Sequence, residues 1–535
     1  MSRRKICTML VVFAVVGLTL AGCGRRQAEP SATTAPARQG TAAALRVWIP
    51  CGLAGYMEAF SKALTGDGNS VFDVEYEIVN VWGLVEQLAS ADPKPDFIIM
   101  PGDLELKELD AKGQLSEKPV AWAYNQIAVL TPKANPAKLE SFTDLAKATK
   151  VILSPPSTST GYYAEQALKK AGLLEKVKKH LIVPETPAEM YRQLADGEAQ
   201  AALAYAGCAF PAPTYEKGAT SVKASNLPAQ APEDNKQRSV IVLGPVPEEY
   251  STPFPACMAI PKDAPHPEWA RQALANLLSD EAQADIALWM PKPARETELA
   301  KKRVGLHMYC GAGLRPPIEK LAKAFEEKHR NVRLNVSYAG SGCLLAQLTF
   351  AKRGDLYMPG EAFYLDQAKK RGFLVEEAQI AYFVPVILVA KGNPKGVKGL
   401  EDLLRPDVKV GIGEPEACAV GRVTKIILQR AGLWEKIEKR QQIRRALNVP
   451  ELAYWVSLGS VDAAVVWQAQ AKQFADKCDA VPVPSKYYDP VDISIGLLKF
   501  SKNPDMAQRF IQFVSSPEGK AVFREAGYAL EPTGK

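Results

Sequence analysis

The sequence predicts an α/β protein made of two tandem copies of one unit, each built as two α/β lobes around a ligand cleft. Three observations lead there. Motifs recur at a nearly constant spacing along the 535 residues. Strand-like and helix-like segments alternate within each copy, which argues for sheets covered by helices. A copy of about 235–260 residues is long enough to form two lobes.

The repeat is read from matched motifs. Cys51-Gly52 recurs as Cys310-Gly311, and Met100-Pro101-Gly102-Asp103 as Met358-Pro359-Gly360-Glu361. Asn135-Pro136 recurs as Asn393-Pro394 and Ala171-Gly172-Leu173 as Ala431-Gly432-Leu433, all at offsets of 258 to 260. Gly197 to Tyr205 then matches Gly459 to Trp467 at 262, and Pro267 matches Pro504 at 237. The fall places about 25 extra residues in the first copy, within PTYEKGATSVKASNLPAQAPEDNKQRS (213–239), a polar stretch that reads as a long loop. Two units are expected, at 45–300 and 304–535.

The N-terminus stands apart. Arg3, Arg4 and Lys5 precede an apolar run from Met9 to Ala21, shorter than the roughly 20 residues of a spanning helix. It reads as a secretory signal peptide over 1–22. Its end, Leu20-Ala21-Gly22-Cys23, resembles the bacterial lipobox, which implies lipidation at Cys23 and anchoring to the membrane rather than spanning. Residues 23–44, rich in Ala, Pro, Thr and Ser, read as a flexible tether.

Composition narrows the classes. Removing the three signal-peptide cations lowers the net charge of +7 to about +4, too mild and dispersed for a nucleic-acid binder. Of nine cysteines, Cys7 and Cys23 belong to export, leaving 51, 208, 257, 310, 343, 418 and 478. An odd set in an exported protein implies at least one free or intermolecular thiol. Their spacings match no zinc ribbon or CxxC pair and there are four histidines, so no ready-made metal site or cofactor motif is expected.

In the second copy LNVSY (334–338) alternates as a strand, CLLAQLTFAKRG is helical, and FVPVILVA (383–390) and DAAVVW (462–467) suit strands buried on both faces of a parallel sheet. NPDMAQRFIQFVSSPEGKAVF closes the copy as amphipathic helix. Ligands of such sheets bind at the carboxyl ends of strands. There the sequence places MYCGAGLRPP (308–317), a strand, a turn nearly stripped of side chains, and a helix with Ile318, Leu321, Ala322 and Phe325 on one face. Cys310, Gly311, Ala312 and Gly313 let backbone N–H groups turn inward, and a helix N-terminus offers unpaired donors and positive dipole density. Ser341, flanked by Gly340 and Gly342, can add a hydroxyl. About four or five such neutral donors can hold a tetrahedral dianion without a buried countercharge.

Taken in order, YCGAGLRPP, YAGSGCLLAQL, GDLYMPGE, VGIGEPEACAVGR, NVPELAYWVSLGSVDAAVVW and FIQFVSSPEGKAVF resemble the type 2 periplasmic binding proteins of ABC transporters, most closely those for molybdate and tungstate. The resemblance covers nearly all of both copies. It implies a two-lobed fold whose chain crosses between lobes near Tyr124–Thr131 and Phe383–Ala390. It also implies a small oxyanion ligand, a membrane-embedded permease partner, a monomer in the bacterial cell envelope, and no catalysis. Carried over by residue, it assigns ligand contacts to Gly313, Ser341 with Gly342, the turn Glu416-Ala417-Cys418, the Val449 backbone and Trp467. Two positions depart from the family, which often has serine at 313 and tyrosine at 467. In the first copy Asn80-Val81-Trp82 replaces Gly340-Ser341-Gly342, while SPPSTSTGYY (154–163) is hydroxyl-rich and Tyr205 keeps the tyrosine.

Other readings stay open at this level. Ser341 also suits a helix cap, Trp467 core packing, and Arg315 and Arg422 either structural pairing or bidentate contact with an anion. Glu414 and Glu416 would repel an oxyanion unless turned outward. Cys310, Cys343 and Cys418, with Glu416, could instead take a soft metal. Finally, Cys310-x-x-Gly-x-Arg315 resembles the active loop of rhodanese sulfurtransferases, with Cys310 as nucleophile and an inert first copy in which Tyr56 replaces the arginine.

Overall fold

A computed structural model describes residues 44–66, 72–132, 135–184, 186–205, 221–223 and 240–532. The signal peptide, Cys23, the tether, Cys208 and most of the 213–239 stretch lie outside them.

The first unit begins with strands β1 (Ala44–Pro50), β2 (Asp73–Val79), β3 (Phe97–Ile99) and β4 (Val120–Asn125). The chain then crosses into a second sheet with β5 (Ile127–Pro132), β6 (Val151–Leu153), β7 (Leu181–Ile182) and β8 (Ala201–Tyr205). Next, β9 (Ser221–Lys223) returns to the first sheet, β10 (Val240–Pro245) joins the second, and β11 (Phe254–Ala259) and β12 (Lys292–Pro293) end in the first. The orders are β12-β4-β11-β3-β1-β2-β9 and β10-β5-β8-β6-β7.

The second unit repeats the plan. It opens with β13 (Val304–Gly311), β14 (Val332–Ala339), β15 (Leu356–Met358) and β16 (Leu374–Phe383). It crosses into β17 (Pro385–Ala390), β18 (Val410–Gly413), β19 (Ile443–Ala446), β20 (Ala463–Trp467) and β21 (Cys478–Pro482), then returns as β22 (Val491–Leu498). The orders are β14-β13-β15-β22-β16 and β19-β18-β20-β17-β21. The crossings fall between Asn125 and Ile127 and between Phe383 and Pro385, inside the two segments that the resemblance implies.

Two sheet features differ from expectation. The apolar run Pro385–Ala390 is buried as predicted, but β17 lies antiparallel to both β20 and β21, because it enters its sheet from the opposite lobe. The 213–239 stretch is not loop throughout: β9 pairs antiparallel with the edge of β2, Val222 opposite Ile78.

The apolar core of the second unit runs through both of its lobes, from Leu306 to Phe523. That of the first unit extends across the junction between units. It takes in Cys343 and Phe350 from the Ser341–Ala351 helix and Ala417 from the opposite lobe. This helix lies on β10, the edge strand of the first unit's second sheet. Gln347 Nε2 donates to the Val242 carbonyl at 2.8 Å. Gly244 is required by closeness, since a Cβ there would come 2.9 Å from Phe350 Cδ1 and 3.0 Å from Ala351 Cβ.

Candidate functional site

The second unit's cleft is built from strand ends and helix starts. Gly311 ends β13 with Ala312 and Gly313 next, Gly340 and Ser341 follow β14, and Gly360 follows β15, all from one lobe. From the other come Cys418 and Ala419 at the start of the Ala419–Arg430 helix, Asn448 and Val449 at the start of the Val449–Ser457 helix, and Trp467 at the end of β20. The cavity measures about 20 Å³. A water needs about 10–15 Å³, so the space is little more than that of one water and is too small for an organic ligand.

The lobes approach through glycines. A Cβ on Gly340 would lie 2.3 Å from the Leu447 carbonyl oxygen and 2.5 Å from that of Ala417, and one on Gly342 2.2 Å from that of Glu416. The Gly342 N–H donates to the Ala417 carbonyl at 3.0 Å, stitching the lobes together. A second bridge is ionic: Arg422 sits bidentate on the Glu361 carboxylate, with Nε 2.8 Å from Oε2. Glu361 in turn raises the pKa of the guanidinium, keeping it charged.

Ser341 is buried, and its Oγ accepts from the Gly360 N–H at 2.9 Å. A hydroxyl that accepts this way retains its own hydrogen to donate to a ligand. Gly313 is held from behind: its carbonyl accepts from Gln470 Nε2 at 3.0 Å and from the Tyr528 hydroxyl. A Cβ at Gly313 would sit 2.8 Å from Val449 Cγ1, so the serine that the resemblance suggests as an alternative there does not fit this loop unshifted. Trp467 stacks on Phe383 with centroids 4.4 Å apart, so it packs as core and borders the cavity at once. Every side chain on the wall is uncharged. Three helix starts face the cavity, and because first-turn N–H groups have no partner within their own helix, they lend it electropositive character.

Gly311, Ala312, Gly313, Ser341, Cys418, Val449 and Trp467 thus line one cavity from both lobes, while Cys310, Cys343, Glu416 and Ala417 lie off it. Cys310 is fully buried with its thiol toward its neighbour's carbonyl, Cys343 and Ala417 join the first unit's core, and Glu416 points to solvent. Among the described residues no three His, Cys, Asp or Glu side chains gather at metal-binding distance. Burial pushes the Cys310 thiol well above its ordinary pKa, the reverse of what a persulfide-forming nucleophile requires. Arg315 is exposed over the Tyr338 ring, 4.5 Å from its centroid. Sequence reasoning missed Gly360, Ala419 and Asn448 as wall residues. Gly360 lies within the recurring Met-Pro-Gly-acid motif, the one signal that could have found it.

Two mixed sheets per unit, a chain crossing between them, and a cleft at strand ends define a two-lobed ligand-binding protein. The chain belongs to the bacterial extracellular solute-binding protein family, whose pattern matches it twice, over residues 45–287 and 306–529. A binding protein of Haemophilus influenzae is 31% identical over 232 residues, 43% of this chain and 94% of that protein. The molybdate-binding protein ModA of Mycobacterium bovis is 26% identical over 238 residues, 44% of this chain and 88% of its own. Among solved structures, the periplasmic molybdate-binding protein of Azotobacter vinelandii aligns with 42% of this chain and 99% of its own, at 20% identity and a TM-score of 0.38. Among the described residues no helix is long and apolar enough to cross a membrane.

Proposed function

We propose that the second unit captures a small oxyanion of the molybdate, tungstate or sulfate class outside the cytoplasmic membrane and delivers it to an ABC permease. The supporting observation is a cavity with no charged side chain on its wall, faced by three helix N-termini and the Ser341 hydroxyl. Such a wall binds a dianion through neutral donors, which also lets the ligand leave. Relatives named for molybdate and sulfate binding point the same way. Gly311, Ala312, Gly313, Ser341, Ala419 and the Val449 backbone are its donors in this reading. Cys23 is the lipid anchor, and the protein works as a monomer in the cell envelope.

Calorimetry of the chain lacking residues 1–23, against molybdate, tungstate, sulfate, phosphate and thiosulfate, tests the reading. One of the tetrahedral anions is expected to bind, and Ser341→Ala to weaken it by about 1–3 kcal/mol, the usual cost of an unpaired buried acceptor. Failure of all five anions to bind would overturn it. The anchor is tested separately: Cys23→Ala should block maturation and membrane fractionation, and a variant that matures normally would remove Cys23 from that role.

A further inference from the structure

The two units present the same helix to their clefts and treat its first residue differently. In the second unit Ala419 opens the Ala419–Arg430 helix and lines the cavity. Its counterpart in the first unit, 260 positions earlier, is Ser159, which opens the Ser159–Lys170 helix. Here the helix start is already covered by a carboxyl group. Glu105, from the Leu104–Ala111 helix of the opposite lobe, accepts from the Ser159 N–H through Oε1 at 2.9 Å. Its Oε2 accepts from the Ser159 hydroxyl. That hydroxyl oxygen accepts in turn from the Asp103 and Leu104 N–H groups at 3.1 and 2.9 Å.

Glu105 is only 7% exposed. Lys107, two residues along, is taken by Asp103 at 2.6 Å, and Asp103 also accepts from the Tyr163 hydroxyl. Among the described residues no lysine or arginine pairs with Glu105. A carboxylate buried without a cation is costly unless donors replace its water, and here the donors are those of a helix start. The lobes are pressed together at this point, since a Cβ on Gly102 would meet Ser159 Cβ at 2.3 Å and the Tyr205 hydroxyl at 2.8 Å. The second unit has no such carboxylate. Phe363 stands at the matching position, 38% exposed beneath the Arg422 guanidinium.

We infer that the first unit is self-liganded: the Glu105 carboxylate occupies the place between the lobes where a free anion would sit, holding that unit closed and leaving capture to the second. The inference builds on the proposed oxyanion reading of the cleft. It accounts for the retained hydroxyl-rich turn and Tyr205 in a copy that has lost the Ser341 counterpart.

The test counts anions bound per chain by calorimetry with sodium molybdate and sodium sulfate, in the unmutated chain and in Glu105→Ala. The count should rise by one in Glu105→Ala, from either one or zero in the unmutated chain. An unchanged count in the folded variant overturns the inference, as does a count of two in the unmutated chain. A count of zero in the unmutated chain, rising to one in the variant, supports the inference and overturns the proposed function of the second unit. Should Glu105→Ala not fold, amide hydrogen exchange of the unmutated chain decides. The Ser159 amide should be protected without added anion and unaffected by molybdate or sulfate, and slowing of that amide on adding either anion would overturn the inference.

Discussion

Arg422 holds Glu361 across the second unit's cleft, guanidinium to carboxylate, with the Phe363 ring 4.2 Å beneath the cation. Glu361 begins the Ala362–Lys370 helix of one lobe and Arg422 lies in the Ala419–Arg430 helix of the other, so the pair fastens the lobes beside the cavity without touching it. The cavity wall can therefore stay free of charge while the closed form is still held by an ion pair.

Glu361→Gln removes the anion and leaves a partly buried guanidinium unpaired. Loss of one partner from a fully buried pair costs about 3–5 kcal/mol, and the 30% exposure of the Arg422 side chain reduces the expectation to about 1–3 kcal/mol. Urea unfolding should show this loss, and small-angle scattering of the ligand-free variant should show a larger radius. Unchanged stability and radius would mean that the pair does not fasten the lobes.

Gly340 should act on closure alone. In the closed cleft its Cβ position is within 2.5 Å of two carbonyl oxygens of the opposite lobe, a backbone contact that no side-chain rotation relieves. In an open cleft that contact is gone. Gly340→Ala should therefore keep the fold, by circular dichroism and melting temperature, yet lose anion affinity by about tenfold or more, or about 1.4 kcal/mol. Wild-type affinity in this variant would show that capture does not need the closure described.

How much of this was legible in the sequence depends on range. The repeat offsets follow from local pattern and order, whereas the crossings near Tyr124 and Phe383 are implied by the family resemblance. The pairing of Arg422 with Glu361 is a contact across 61 residues, and residue type alone left Arg422 open between anion contact and structure. Cys343 shows a different failure. Two positions beyond Ser341 on one helix it must face away from it, which helical spacing could have revealed, and it packs against the first unit. The strand β9 was hidden because its pairing to an exposed edge, rather than an apolar pattern, makes it a strand.

The buried thiols should be chemically silent. Cys418 donates to the Glu414 and Ala446 carbonyls at 3.5 and 3.8 Å, and burial pushes its pKa up to about 12. The thiolate is the reactive form, so alkylation of the native chain should stay slow at pH 7 and rise about tenfold per pH unit, with no plateau below pH 10. Peptide-resolved iodoacetamide labelling should find Cys310 and Cys418 modified only after unfolding. Rapid native labelling at neutral pH would mean that burial does not protect them, and would reopen the soft-metal and sulfurtransferase readings.

The junction between units yields the last prediction. The Ser341–Ala351 helix carries a cavity hydroxyl at one end and presses Phe350, 8% exposed, onto β10 at the other. The second unit's apolar helix face thus depends on the first unit for cover, and Gly244 is where the two backbones come closest. Its φ is not in the left-handed region, so a larger residue there is opposed by space alone. Gly244→Val should force the helix off the strand at a cost of about 1–3 kcal/mol, as overpacking of a tight contact does. Calorimetric melting, expected as one transition in the unmutated chain, should fall or split in the variant. Anion affinity should weaken with it, because the displaced helix takes Ser341 along. A variant that melts and binds like the unmutated chain would show that the second unit's site stands independently of the first.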